Sequence, residues 1–300
     1  MADKLKVLDD VLSGLMTRYQ QRVPDVQAII SKMVEKNLIA SVNDIQNDHI
    51  AFRTMGVENL GIASLEKIFL HYGYTKKDYY TFPVKKLIAY WYAPPLPEYP
   101  RIFISQLQVD ELSAGNASII RSYTSEVTDD PVDLLNLDNA YEVDNFLHTP
   151  LWRTANWQDY QSLSDESEYA AWVIYNRYYL NHFTISVHNL PDGFNTIAQF
   201  NDFLEENGFE LNDSGGKIKT SNDGLLIQSS TVAEMIDAEF SAMNGNTVIK
   251  KISGSYVEFA ERKPLTNERN PDKSRRDGFE ADNANHIFES TYKKQTERRK

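Results

Sequence analysis

The segment DHIAFRT, residues 48–54, alternates polar and apolar side chains, which is the pattern of a β-strand with one face in the core. His49 and Arg53 fall on one face of this strand, and the isoleucine and phenylalanine between them fall on the other. Two distant segments, NHFTISVH at residues 181–188 and SYVEFAER at residues 255–262, repeat the pattern. We therefore predict three strands that each present a polar face and bury an apolar one.

The polar faces of these strands carry side chains that bind metal ions. His49 and His182 stand near the start of their strands, and Glu258 lies between two apolar neighbours in the third. A carboxylate in such an apolar strand is unfavourable unless a cation compensates its charge. Two histidines and one carboxylate are the donors of the facial triad, which is typical of non-haem iron(II) sites. We predict that these three residues bind one divalent ion.

Arg53 shares the face of His49 and is the best candidate for a substrate-binding residue. A guanidinium group can bind a carboxylate through two hydrogen bonds. We expect Arg53 to be required for catalysis by holding the far end of a dicarboxylate. His49 and His182 would contact the same substrate at the metal.

The order of predicted elements repeats. Around residues 48–54 the pattern is strand, helix, strand, strand, strand, and the same order returns from residue 182 onwards. Helical spacing precedes the first unit, and an acidic, aromatic-rich stretch with helical pieces separates the two. We predict one globular domain of the α+β class, divided into N-terminal helices (1–40), a first βαβββ module (41–110), a helical insertion (111–180), a second βαβββ module (181–262) and a C-terminal segment (263–300).

Composition excludes several classes of function. The net charge of −12 argues against nucleic-acid binding, since phosphate contacts require clustered Lys and Arg. The chain has no cysteine, which rules out disulfides, thiolate metal sites and cysteine nucleophiles. No apolar run is long enough to span a membrane, and the N-terminus lacks the apolar region of a signal peptide. We expect a cytoplasmic protein, and the sequence does not indicate its oligomeric state.

Four motifs resemble the DUF1338 family: HIAFR at 49–53, NHFTIS at 181–186, VEFAER at 257–262 and DGFEADNANHIFESTY at 277–292. The resemblance implies a fold like that of the vicinal-oxygen-chelate superfamily, in which paired βαβββ modules form a half-barrel. It also implies conversion of 2-oxoadipate to D-2-hydroxyglutarate with O2 and loss of CO2, in lysine breakdown. In that family Fe²⁺ is the cofactor, so the resemblance makes His49, His182 and Glu258 its ligands and Arg53 the substrate-binding arginine.

Two other functions stay open at this point. The same fold suits a metal-dependent hydrolase or isomerase acting on a small carboxylic acid, and it also suits a non-catalytic ligand-binding protein. The redox activity of the bound metal would distinguish these functions.

Some residues are weaker candidates. His286 is the alternative metal ligand, and we expect Glu261 to form a surface ion pair with its basic neighbours. The basic end of the chain, TYKKQTERRK at 291–300, has the composition of a solvated, frayed terminus. The remaining candidates for the pocket lining are Ser105, Gln106 and Arg262.

Overall fold

The computed structural model of the protein describes residues 2–242, 245–265 and 274–299. Two N-terminal helices, α1 (Ala2–Arg22) and α2 (Pro24–Glu35), meet at a proline that occupies the first position of the second helix. Proline is well tolerated there because its missing N–H has no partner in the first turn. The helices bury one stripe each, made of Leu8, Val11 and Leu15 in α1 and Val26, Ile29 and Met33 in α2. The predicted N-terminal helices are confirmed.

The first βαβββ module has the predicted order. It consists of β1 (Asn47–Met55), α3 (Ile62–His71), β2 (Thr75–Phe82), β3 (Leu87–Ala93) and β4 (Arg101–Leu107). β1 runs parallel to β4, while β2, β3 and β4 are joined by antiparallel pairing.

The second module repeats this connectivity. It consists of β5 (His182–Ser186), α8 (Ile197–Glu206), β6 (Lys219–Thr220), β7 (Leu226–Ser230) and β10 (Tyr256–Arg262). β5 runs parallel to β10, and β10 and β6 pair antiparallel with β7. Antiparallel pairing of β1 with β5 joins the modules into one eight-stranded half-barrel sheet in the order β2-β3-β4-β1-β5-β10-β7-β6.

A β-hairpin interrupts the second module. Its strands, β8 (Met235–Ser241) and β9 (Thr247–Ser253), pair with each other and form a separate sheet. The strand predicted at residues 255–262 is β10, which begins at Tyr256, while β9 ends at Ser253. Gly254 lies at this break, where an added Cβ would come within 3.1 Å of the Ile236 side chain.

The insertion between the modules is helical, as predicted. Its helices are α4 (Ala114–Thr124), α5 (Ala140–His148), α6 (Trp157–Glu166) and α7 (Glu168–Asn176). The two faces of the large sheet are covered differently. Helices α3 and α8 cover the apolar face, where ring centroids of Phe52 and Phe69 lie 5.5 Å apart and those of Phe200 and Phe259 lie 5.1 Å apart. Helix α7 covers part of the polar face, and the hydroxyl of its Tyr169 accepts a hydrogen bond from the backbone of β1.

The C-terminal segment covers the rest of that face. It contains α9 (Ala281–Ile287), a 3₁₀ turn (Phe288–Thr291) and α10 (Lys293–Thr296). The expectation of a frayed basic end is wrong, because Gln295 is buried and Arg299 makes two 2.9 Å hydrogen bonds to the carboxylate of Asp25. These contacts fix the end of the described chain to α2.

None of the helices in the described part of the chain has the length and apolar character that crossing a bilayer requires. The division into five segments stays a prediction.

Candidate metal centre

Three adjacent strands in the middle of the sheet bring the predicted metal-binding side chains together. His49 lies on β1, His182 on β5 and Glu258 on β10, and their exposed fractions are 1%, 5% and 1%. The Nε2 atoms of the two histidines are 3.2 Å apart. Oε1 of Glu258 lies 3.4 Å from Nε2 of His49, and Oε2 lies 3.1 Å from Nε2 of His182. Among the described residues, this is the group of His, Asp and Glu side chains whose donor atoms are close enough to share an ion.

Each histidine is oriented by the residue that precedes it. Nδ1 of His49 lies 2.8 Å from Oδ1 of Asp48, and Nδ1 of His182 lies 3.1 Å from Oδ1 of Asn181. With these oxygens as acceptors, each ring carries its proton on Nδ1 and directs the lone pair of Nε2 to the centre. Glu258 is held in turn by a 2.5 Å hydrogen bond from the side-chain amide of Gln228.

This donor set fits a divalent ion. Two imidazole lone pairs and one carboxylate converge in a buried space, which is unfavourable without a cation at their centre. An ion about 2.1 Å from each of three donors at right angles requires donor separations of about 3.0 Å. The two Nε2 atoms are 3.2 Å apart, and each lies 3.1–3.4 Å from a different oxygen of the Glu258 carboxylate, so the separations are close to this value. The three donors would occupy one face of the ion and leave the other face open to ligands.

The charges around the centre are unequally distributed. Burial lowers the pKa of His49, but the carboxylates of Glu258 and Asp48 outweigh burial and raise that pKa above its usual range. Burial, followed by the positive charges of His49 and Arg53, lowers the pKa of His182 well below its usual range. The negative charge of the two carboxylates therefore acts on His49, whereas His182 is affected by burial and by positive neighbours.

Arg262 contacts Asp48 and is not among the residues that line the cavity beside the three converging side chains. The prediction that it lines the pocket is therefore wrong. Nε and Nη2 of Arg262 donate to the two carboxylate oxygens of Asp48 at 2.6 Å and 2.8 Å. Burial alone would raise the pKa of Asp48, but Arg262, and then His49, hold it well below the usual range. The result is a buried chain from arginine to carboxylate to imidazole. Such outer partners orient metal-binding histidines and increase their basicity.

Arg53 is buried, with 1% of its surface exposed, and forms no ion pair with a carboxylate among the residues that the structure describes. Nη1 donates to the hydroxyl of Thr291 at 2.9 Å, and Nη2 donates to the carbonyl of Phe288 at 3.0 Å. Nε has no hydrogen-bond partner. The guanidinium lies between the rings of Tyr169 and Trp172, each with its centroid 5.1 Å away. Arg53 is thus a buried cation with neutral acceptors and aromatic rings around it.

A small cavity, with a volume of about 20 Å³ open to the centre of a water molecule, adjoins the three converging side chains. Aromatic rings form most of its wall, and the C-terminal segment contributes Ala284, Ile287 and Phe288. Phe279 places its ring edge-on to His49, with centroids 4.7 Å apart. The cavity is therefore closed by residues that lie more than two hundred positions after the first histidine.

The weaker candidates lie elsewhere. The hydroxyl of Ser105 contacts the hydroxyl of Tyr169, and Gln106 accepts a hydrogen bond from the backbone N–H at the start of α3. His286 contacts Ser214 and is not part of the converging group. The surface ion pair expected for Glu261 is wrong, because this residue is 8% exposed and accepts a hydrogen bond from the first N–H of α8.

Sequence reasoning missed the orienting residues Asp48, Asn181 and Gln228. The first two carry a signal in the sequence, because each comes immediately before a histidine in the pairs DH and NH. Gln228 carries none, because it reaches Glu258 only through the pairing of β7 with β10.

Comparison with known proteins agrees with this geometry. The family described as HGLS, 2-oxoadipate dioxygenase/decarboxylase, matches residues 11–271. The chain is 42% identical over 308 residues to the chloroplastic 2-oxoadipate dioxygenase/decarboxylase of Arabidopsis thaliana, with 96% of this chain and 78% of that protein aligned. The crystal structure of the hydroxyglutarate synthase from Oryza sativa in complex with 2-oxoadipate is similar with a TM-score of 0.84 and 39% identity, and the match covers 99% of this chain and 95% of that one.

A protein of the glyoxalase superfamily from Ralstonia eutropha shares the fold, with a TM-score of 0.70 and 20% identity over 84% of this chain and 81% of that one. This similarity confirms the expected half-barrel of paired modules. Since the family match and the relatives span most of the sequence, the chain belongs to the 2-oxoadipate dioxygenase/decarboxylase family.

Proposed function

We propose that this protein converts 2-oxoadipate and O2 to D-2-hydroxyglutarate and CO2, with Fe²⁺ held by His49, His182 and Glu258. The observation that carries the proposal is the convergence of these three side chains beside a buried arginine that lacks a carboxylate partner. The reaction balances, because the two oxygen atoms of O2 enter the products as the substrate loses one carboxylate as CO2. The family and the 2-oxoadipate bound in the rice relative support the choice of substrate.

Iron(II) is the ion of choice because the reaction requires electron transfer to O2. His49, His182 and Glu258 would hold the iron(II), which would supply the electrons that activate O2. A redox-inert ion such as zinc would fit the same donors but could not support this chemistry.

The protein's own residues bind and orient the substrate. Arg53 binds the substrate carboxylate that is remote from the metal and neutralises its charge. No further cation is then needed in the pocket. The aromatic wall around the cavity excludes water, which strengthens this charge interaction. Asp48, held by Arg262, fixes the ring of His49 so that Nε2 stays directed at the centre.

The test begins with protein loaded with Fe²⁺ without oxygen and then given 2-oxoadipate and O2. We expect O2 consumption, CO2 release and 2-hydroxyglutarate formation in equal amounts. Glu258→Ala and His49→Ala should abolish all three while leaving a folded protein. Product formation without O2 would refute dioxygenase activity. Absence of O2 uptake with every member of a panel of 2-oxo acids would refute any O2-dependent reaction of this substrate class.

The same experiment separates the two alternatives. Turnover of a carboxylic acid with zinc or manganese and without O2 would identify a hydrolase or isomerase, and ligand binding without turnover would identify a binding protein. A role in lysine breakdown belongs to the proposal and would be checked by 2-oxoadipate accumulation in cells that lack the protein. The cytoplasmic location stays a prediction, since the Arabidopsis thaliana relative is named as chloroplastic.

A further inference from the structure

Two buried hydrogen-bond donors near the cavity have no partner. They are Nε of Arg53 and the hydroxyl of Tyr256, for which the described part of the chain offers no hydrogen bond of good geometry. Burial raises the pKa of that hydroxyl well above its usual range, and the nearby guanidinium of Arg53 opposes this rise. Tyr256 lines the cavity, whereas Arg53 does not. Tyr256 is fully buried, and its ring forms part of the cavity wall. A buried polar group without a partner is destabilising by about 1–3 kcal/mol. Such a group in a native structure indicates that a ligand completes it.

The sheet brings these two donors together. Tyr256 on β10 lies opposite His182 on β5, and His182 lies opposite Ala51 on β1, so the three form a row across adjacent strands. Arg53 is the next residue after Ala51 on the same face of β1. Phe288 links the two donors as well, since it lines the cavity beside Tyr256 and its carbonyl accepts a hydrogen bond from Arg53.

The other polar atoms around Arg53 are satisfied inside the protein. The indole N–H of Trp172 donates to the carbonyl of Gly254 at 2.7 Å. The hydroxyl of Tyr169 contacts Ser105 at 2.9 Å and the backbone N–H of Thr54 at 3.1 Å. The hydroxyl of Tyr256 differs, because a phenylalanine would fill the same space and leave no donor unsatisfied. The tyrosine therefore places a hydroxyl beside the guanidinium of Arg53, where a phenylalanine would place none.

We propose that Tyr256 is a substrate-contacting residue whose hydroxyl donates a hydrogen bond to the carboxylate that Arg53 binds, and that the pair selects dicarboxylic 2-oxo acids. The inference rests on the proposed function. One carboxylate has enough lone pairs to accept from Nε of Arg53 and from a hydroxyl at the same time. The ring of Tyr256 packs against that of His182, with centroids 4.9 Å apart. The residue thus spans the distance between the metal centre and the arginine.

The experiment compares Tyr256→Phe with the wild type on two substrates. One is 2-oxoadipate, and the other is 2-oxohexanoate, which has the same carbon chain with a methyl group in place of the second carboxylate. We expect kcat/KM for 2-oxoadipate to fall by about 10- to 100-fold, as for loss of a hydrogen bond to a charged group. For 2-oxohexanoate kcat/KM should not change. Calorimetric titration of the Fe²⁺ protein with 2-oxoadipate without O2 should show Kd rising by a similar factor.

Tyr178→Phe is the matched control. Tyr178 is also buried and its hydroxyl also lacks a hydrogen-bond partner, but it does not line the cavity. Its variant should match the wild type on both substrates. Both variants should have melting temperatures equal to or above that of the wild type without ligand, because each loses an unsatisfied hydroxyl.

Three results would overturn the inference. The first is an unchanged Kd and kcat/KM for 2-oxoadipate in Tyr256→Phe. The second is an equal loss on both substrates, which would mean that the hydroxyl acts through His182. The third is failure of the wild type to bind 2-oxoadipate, which overturns the proposed function as well. If the wild type binds 2-oxoadipate without turnover, the proposed reaction fails, and weaker binding by Tyr256→Phe alone still supports the role of Tyr256.

Discussion

Arg53 and Arg262 occupy similar positions in the sheet but have opposite surroundings. Arg53 follows His49 by four residues on β1, and Arg262 follows Glu258 by four residues on β10. Each is 1% exposed. Arg262 faces both oxygens of a buried carboxylate, whereas the side-chain nitrogens of Arg53 meet only neutral acceptors.

The difference shows how one residue type serves two purposes. A buried cation is tolerated when its charge is compensated, and Asp48 does this for Arg262 within the fold. Among the described residues no carboxylate compensates the charge of Arg53, so an anionic ligand beside it would be stabilised. Arg262 therefore supports Asp48 and His49 within the fold, and Arg53 is the arginine that we propose binds a ligand. The following changes test this division, in order of decreasing effect.

Arg262→Met should give the largest effect on stability. Removing this guanidinium leaves the buried carboxylate of Asp48 with the imidazole of His49 at 2.8 Å and a 3.5 Å contact to Arg101, but without its two hydrogen bonds from a permanent cation. We expect the free energy of unfolding to fall by about 3–5 kcal/mol. Denaturant titration measures this change. Arg121→Met is the control, because Arg121 pairs with Asp110 at the surface and its loss should change the free energy of unfolding by less than about 1 kcal/mol. Equal effects of the two variants would contradict the role of Arg262.

Arg53→Met should show the opposite pattern. The free energy of unfolding without ligand should stay equal or rise, because an uncompensated cation is removed. The catalytic efficiency on 2-oxoadipate should fall by roughly thirtyfold to several-thousandfold, which corresponds to about 2–5 kcal/mol for a desolvated charge pair.

Arg53→Lys should recover little of this loss, since an ammonium group cannot make a planar two-point contact. Iron content, melting temperature and kcat/KM should be measured on the same preparations. Full activity of folded, iron-loaded Arg53→Met would remove this residue from the site.

Asp48→Asn should have an intermediate effect on the metal. The amide keeps the shape of the side chain but loses the charge that stabilises the His49 ring and Arg262. We expect iron affinity to fall by about 10- to 100-fold. Competition with a chelator of known affinity measures it. Asp277→Asn serves as the comparison, since Asp277 is exposed and pairs with Arg101 only at the rim, and its iron affinity should equal that of the wild type.

Glu166→Gln should have the smallest effect, because its charge is near water. Lys86, Ser113 and Asn116 donate to this carboxylate, and these donors, Lys86 first, lower its pKa to about 2. A lowered pKa means that the carboxylate stabilises the fold above its ordinary pKa of 4.5 and that this contribution is lost as the pH falls towards about 2.

At pH 7 the variant should therefore be less stable than the wild type by about 1 kcal/mol, since solvent screens the pair. The difference should shrink below about pH 4.5 and vanish near pH 2. A stability difference that persists undiminished at the acidic end would show that the charge is irrelevant. Asp165→Asn, at an exposed neighbouring position, should show no comparable pH dependence.

The positions of His49, His182 and Glu258 could be predicted because strand alternation fixes which side chains share a face. The repeated element order then indicated that these strands belong to paired modules. Their neighbourhood in one sheet follows from the antiparallel pairing of β1 with β5, which the family resemblance implied and residue patterns alone did not.

The support around the site could not be predicted in the same way. The role of Asp48 depends on Arg262, which lies 214 residues away and reaches it only across three strands. Glu261 sits beside Arg262 and Lys263 in sequence, but the fold places the start of α8 over its carboxylate. The hairpin of β8 and β9 was missed for another reason. The signal was present in β8, where Ile236, Ala238 and Phe240 alternate with Asp237, Glu239 and Ser241, but the repeated element order left no place for an additional hairpin.

The contact of Arg53 with Phe288 and Thr291 has a consequence for biosynthesis. The histidine on β1 is synthesised early, yet the residues that close its cavity are made only after about 230 more have been added. A nascent chain that stops before Phe288 leaves the metal-binding side chains without this cover and Arg53 without its acceptors. Residues up to Thr291 must therefore leave the ribosome before the three converging side chains can be closed off from water, and premature termination produces a chain in which they stay open to solvent.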